Sequence, residues 1–154
     1  MPESLGTETR FMRLLRRLRQ VGPEQQPPFE AVGITSAQLA LLEWAASHPR
    51  CSVQDVANGL GLTPPTVSVG VRRLEEVGVL ERHPDPADGR AWQLDLTATG
   101  TALWERVQRY RGEKTRRLLA GLTREEQQTL LALLERALDA AEKDPRPTER
   151  TGLL

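Results

Sequence analysis

Residues 52–78 read SVQDVANGLGLTPPTVSVGVRRLEEVG, and they hold two helix starts and two helix stops in one short span. Ser52 with Asp55 three residues on has capping-box spacing, in which each side chain satisfies a backbone N–H that the first turn leaves free. Val53, Val56, Ala57 and Leu60 follow at helical spacing. Gly61 then suits the left-handed conformation that ends a helix. Thr63 is a second cap, and Pro64 sits at the first helical position, where a missing N–H is tolerated. Val67, Val71 and Leu74 make the next buried stripe, and Gly78 stops it. Only Gly61, Leu62 and Thr63 join the two helices. Two short helices on so tight a turn predict a helix-turn-helix.

The flanking sequence extends this. Segment 9–21, TRFMRLLRRLRQV, places Phe11, Leu14, Leu15, Leu18 and Val21 on one face and five arginines on the rest, an amphipathic helix. A Pro- and Gly-rich loop ends it. Thr35 and Gln38 form another capping-box pair, opening a helix apolar nearly all round and therefore central. After Gly78 the pattern changes. VLERH (79–83) and AWQLDL (91–96) are strand-like, with Trp92, Leu94 and Leu96 alternating against Gln93 and Asp95. A long helix starts near Thr97, with Gly112 a candidate bend. A last helix starts at Thr123 with Glu126. The fold class is mainly α with a small β-hairpin: a winged helix-turn-helix domain with flanking helices. The expected division is 1–34 N-terminal helix and loop, 35–97 winged domain, 98–143 C-terminal helices, and 144–154 a mobile tail.

Composition narrows the function classes. With 38% hydrophobic and 27% charged residues, the chain of 154 residues reads as globular. It has no apolar run of about 18 residues, so no membrane partner is expected. The N-terminal stretch lacks a secretory apolar region, and one cysteine suits a reducing, cytoplasmic setting. The formal net charge of zero argues against broad polyanion binding but allows a local basic surface. There is no paired-carboxylate, Ser-His-Asp or phosphate-loop pattern, so no enzyme activity and no cofactor are expected.

The ordered set ITSAQLALL, VQDVANGLGLTPPTVSVGVRRLEEVGVLERHPDPADGR and LDLTATG resembles the MarR family of transcription regulators, from about Thr35 to Lys143. The resemblance implies a homodimer joined through the first and last two helices, which makes 1–34 and 98–143 a helical dimerisation region. It also implies winged domains on a pseudo-palindromic operator in double-stranded DNA, repression, and release by a small-molecule effector. The residues themselves give the proposed contacts. With Val67, Val71 and Leu74 inward, Pro65, Thr66, Val69, Arg72 and Glu76 face outward, with Ser68 at the edge. Such a helix fits the major groove. Thr66 and Ser68 suit bases or phosphates, and the helix start near Thr63 offers N–H groups to a phosphate. Arg72 and Arg73 suit phosphate or guanine, although Arg73 has an alternative role bracing the domain. Gly70 implies close packing on a neighbouring helix or on the DNA backbone.

Between the strands, HPDPADGR is the wing. A calcium loop needs six to eight oxygen ligands, more than its two carboxylates provide. By the resemblance, Arg90 is the minor-groove arginine and Asp88 braces the loop. An internal pairing of Arg90 with Asp85 or Asp88 is the alternative. His48, Cys51 and Asp55 are too few and too mixed for a zinc site. Cys51 is a candidate redox residue, with Arg50 and the nearby helix start as groups that would lower its pKa. The alternatives to a DNA-binding repressor are a winged-helix module that binds another protein, and a regulator that senses oxidants through Cys51. Phe11, Phe29, Trp44, Trp92, Trp104 and Tyr110 could line the effector pocket that the resemblance implies between the dimer helices and the winged domain, with core packing the alternative for each, so none is assigned to binding.

Overall fold

Capping residues place the helices as their spacing predicts. The computed structural model describes residues 6–22 and 26–143; the tail assigned to 144–154 lies outside the described residues. Thr35 accepts from the Gln38 N–H, Gln38 accepts from the Thr35 N–H, and α3 runs Ser36–Ser47. Ser52 and Asp55 make the same reciprocal bonds at the start of α4, Val53–Leu60. Helix α5, Pro64–Val77, opens on Thr63 with Pro64 in its first turn. Gly61 and Gly78 end α4 and α5 with φ of 64° and 79°, the left-handed conformation glycine adopts without steric cost. The remaining helices are α1 Thr7–Gln20, α2 Pro28–Ala31, α6 Ala98–Leu119 and α7 Arg124–Lys143. Helix α2 is one turn inside the segment read as loop. Its prolines permit a helix start as readily as a turn. Gly112 does not interrupt α6.

The chain forms two compact units, Met1–Lys114 and Thr115–Leu154. In the first, α3 packs against α4, α5 and the hairpin. Its buried residues Leu39, Leu41, Leu42 and Ala45 spread around the helix, as a central element requires. Val56, Val67, Val71, Leu74 and Leu94 close the core from α4, α5 and the sheet. Strands β1, Leu80–Pro84, and β2, Trp92–Leu96, pair antiparallel with Leu80 opposite Leu96, Arg82 opposite Leu94 and Pro84 opposite Trp92. A further bridge adds Cys51 to the edge of β2, with the Leu94 N–H donating to the Cys51 carbonyl at 2.8 Å. Leu94 is buried and Leu96 half-buried. Trp92 breaks the expected pattern at 51% exposed, because its end of the strand runs beyond the core into the wing.

Thr97 joins the hairpin to α6. Its hydroxyl donates to the Gly78 carbonyl at 2.7 Å and accepts from the Gly100 N–H at 3.0 Å. One side chain thus caps α6 and holds it to the end of α5. In the second unit Thr123 and Glu126 form the predicted capping box of α7. The Gln127 amide donates to the Leu119 and Leu122 carbonyls at 3.2 and 3.1 Å, closing the turn before α7.

Candidate nucleic-acid interface

The outward face of α5 is set by what its inward face buries. Val67, Val71 and Leu74 are fully buried. Pro65, Thr66, Val69, Arg72 and Glu76 are exposed and Ser68 is half-buried, as the helical register predicts. A Cβ at Gly70 would overlap the Leu41 side chain, so the close approach at that glycine is to α3. At the helix start, the Thr63 hydroxyl accepts from the Thr66 N–H at 3.4 Å and lies 2.8 Å from the Thr66 hydroxyl.

The wing is closed by its own hydrogen bonds. The Asp85 carboxylate accepts from the Ala87 N–H at 2.8 Å, and the Asp88 carboxylate accepts from the Arg90 N–H at 3.0 Å. Across the loop, the Asp85 N–H donates to the Ala91 carbonyl and the Ala91 N–H to the Asp88 carbonyl, both at 2.9 Å. Both carboxylates therefore shape the turn, and Asp88 braces the residue that carries the guanidinium.

The arginines divide into two kinds. Arg73 pairs with Glu76 at 3.3 Å, and Arg82 of β1 pairs with Glu75 of α5 at 2.8 Å. Arg72 and Arg90 are exposed and make no ion pair with another described residue. The bracing role for Arg73 thus has a partner, whereas the pairing considered for Arg90 engages its backbone N–H and not its guanidinium.

Cys51 departs from its expectation. It is buried, and its pKa is raised, first by burial and then by Asp55, with Asp95 adding to the effect. Arg50 does not reverse this: its backbone N–H donates to Asp95 at 3.0 Å, anchoring an acidic group nearby. A buried thiol among carboxylates is a poor thiolate, so the environment opposes the redox reading. His48 stacks on Trp44 with ring centroids 4.1 Å apart, and its Nδ1 lies 3.0 Å from the Trp44 carbonyl. Among the described residues no group of three or more His, Cys, Asp or Glu is placed to hold a metal.

A family model described as the MarR family matches residues 32–91, the span from the approach to α3 through the wing. The PcaV transcriptional regulator from Streptomyces coelicolor superposes with a TM-score of 0.62 at 30% identity, over 85% of this chain and 96% of PcaV. The chain belongs to the MarR family. It is similar to the HTH-type transcriptional repressor MdtR of Bacillus subtilis, with 28% identity over 134 residues, 87% of this chain and 86% of MdtR. A mutant of MepR from S. aureus bound to an oligodeoxyribonucleotide matches with a TM-score of 0.64 at 26% identity, over 90% of this chain and 99% of MepR. PcaV has also been solved in complex with its natural ligand. As a MarR-family protein the chain is a transcription regulator, not an enzyme.

In this MarR-family chain, sequence reasoning missed two features. Arg82 and Glu75 tie the wing to α5 across the start of the hairpin. Gly100 lets α6 approach the Val79 backbone, where a Cβ would overlap the carbonyl. A glycine in the first turn of a helix, after a capping Thr97, was the available signal. The first unit also holds a cavity of about 700 Å³, lined by Arg19, Phe29, Glu43, Tyr110, Arg111 and Lys114 among others. Of the aromatic residues considered as pocket walls, it takes in Phe29 and Tyr110. Trp44 and Trp104 pack against the core and each lines a smaller cavity, and Trp104 also lies under the Arg111 guanidinium, 5.4 Å from the ring centroid. No helix among the described residues is long and apolar enough to cross a membrane.

Proposed function

We propose that the protein is a sequence-specific repressor that binds a pseudo-palindromic operator as a homodimer and is released by a small ligand. The observation that carries this reading is the pairing of an outward α5 face with a braced wing, each holding an arginine without an ion-pair partner among the described residues. Helix α5 enters the major groove, where Pro65, Thr66, Ser68 and Val69 approach base edges. Arg72 contacts phosphate or guanine, the α5 start at Thr63 faces a phosphate, and Arg73 adds a weaker, shared charge. Arg90, set by Asp88, enters the minor groove, where negative potential attracts arginine. The oligodeoxyribonucleotide on MepR supports this docking.

Residues 35–97 are the DNA-binding part in this reading, and 1–34 and 98–143 the dimerisation parts. Helices α1 and α7 bury no residue in the single chain. Phe11, Met12 and Leu14 on α1, and Leu131, Leu133, Leu134 and Leu138 on α7, stand exposed. A partner copy that covers these residues removes that apolar surface from water. The cavity beside Tyr110 and Arg111 is of a size for a small effector, as PcaV binds its ligand.

The test is selection of random duplex DNA on the purified full-length protein, followed by salt titration with the enriched sequence. Wild type gives a palindromic consensus. Arg90→Ala weakens binding and lowers the slope of log K against log salt by about 1. Absence of any enriched sequence, with capture of a protein partner in its place, would favour a winged-helix interaction module.

A further inference from the structure

We propose that Val69, with Pro65 one turn before it, reads thymine through its 5-methyl group. The inference rests on the DNA-binding reading above. Val69 is 70% exposed, more than any other large hydrophobic residue described. Single exposed apolar residues are common on protein surfaces, so the argument lies in the neighbours. Val67 and Val71, two residues either side, are fully buried, so the core is complete without Val69. Pro65, four residues earlier and on the same face, has neither an N–H nor a polar side chain. The Thr66 hydroxyl is engaged at 2.8 Å with that of Thr63, within the helix cap. Ser68 is half-buried.

The first two turns of α5 read PPTVSVGV, without Asn, Gln or Arg. They lack the side chains that grip adenine or guanine with paired hydrogen bonds. The exposed side chain on this face that offers a fork of donors without an ion-pair partner among the described residues is Arg72, nearly two turns beyond Pro65. An apolar face pressed into the major groove meets one apolar feature among the base edges, the thymine methyl. Base selection by the first half of α5 is therefore chiefly by methyl contact, and paired hydrogen-bond readout is left to Arg72.

The test alters the DNA first. Each thymine of the enriched sequence is replaced in both half-sites by 2′-deoxyuridine, which lacks only the methyl. Affinity is measured by fluorescence anisotropy for wild type and Val69→Ala. Uracil at one thymine step should weaken wild type about fourfold per half-site, the effect of one buried methyl group, and should leave Val69→Ala nearly unaffected. Uracil tolerated at every thymine, or an equal penalty in both proteins, overturns the assignment while DNA binding stands. Selection that yields no enriched sequence overturns the DNA reading and this inference with it. The uracil comparison in wild type does not depend on how the variant folds.

Discussion

An alanine methyl at Gly100 would run into the Val79 carbonyl, and that carbonyl also accepts from the Thr97 N–H at 3.2 Å. Backbone cannot swing aside as a side chain end can. Gly100→Ala should destabilise the fold by on the order of 3 kcal/mol, the upper end of overpacking costs, seen as a lower urea midpoint. A midpoint equal to wild type would mean that α6 shifts freely. Cys51 poses the opposite case, a residue whose chemistry is suppressed by its surroundings. Burial and two carboxylates raise its pKa. Alkylation by iodoacetamide at neutral pH should therefore be much slower in the native protein than in urea. Comparable rates in the two states would restore Cys51 as a sensor candidate.

Among the elements, the capping boxes were legible because both partners lie three residues apart. Thr35 with Gln38, Ser52 with Asp55 and Thr123 with Glu126 all form as the spacing predicts. The inward stripe of α5 was legible for the same reason, since helical periodicity is local. The outward positions of Thr66, Val69 and Arg72 followed from it. What could not be read depends on contacts distant in sequence. Cys51 meets Leu94, Gly100 meets Val79, and Glu43 takes Arg111 with two hydrogen bonds of 3.1 Å. No periodicity encodes such pairs. The α4 cap is open to direct measurement. Ser52→Ala should cost about 1 kcal/mol. Asp55 has a lowered pKa, first from its bonds to the Ser52 N–H and hydroxyl. A depressed carboxylate pKa adds stability above its unfolded value, near 3.9, and that stability is lost as pH falls through the folded value. Asp55→Asn should therefore lower stability at neutral pH, where the carboxylate contributes fully, and converge with wild type as pH falls below about 4.

For the whole molecule, the single chain leaves too much apolar surface on α7 to account for itself. Leu138 is 59% exposed and Leu131, Leu133 and Leu134 are each above 40%. In the dimer reading, Leu138→Glu should shift the protein to monomer in sedimentation and weaken operator binding by well over tenfold, because one half-site alone remains. A variant that stays dimeric would place the interface elsewhere.

Two of the four arginines around α5 and the wing already face glutamates of their own chain, Arg73 with Glu76 and Arg82 with Glu75. The consequence lies in how such a protein would be distributed in a cell. Bulk chromosomal DNA holds most regulators by charge alone, as a vast reservoir of wrong sites. A reading surface that has spent half its local charge internally would leave more molecules unattached. Operator occupancy would then follow copy number closely, and a small rise or fall in synthesis would register at the promoter.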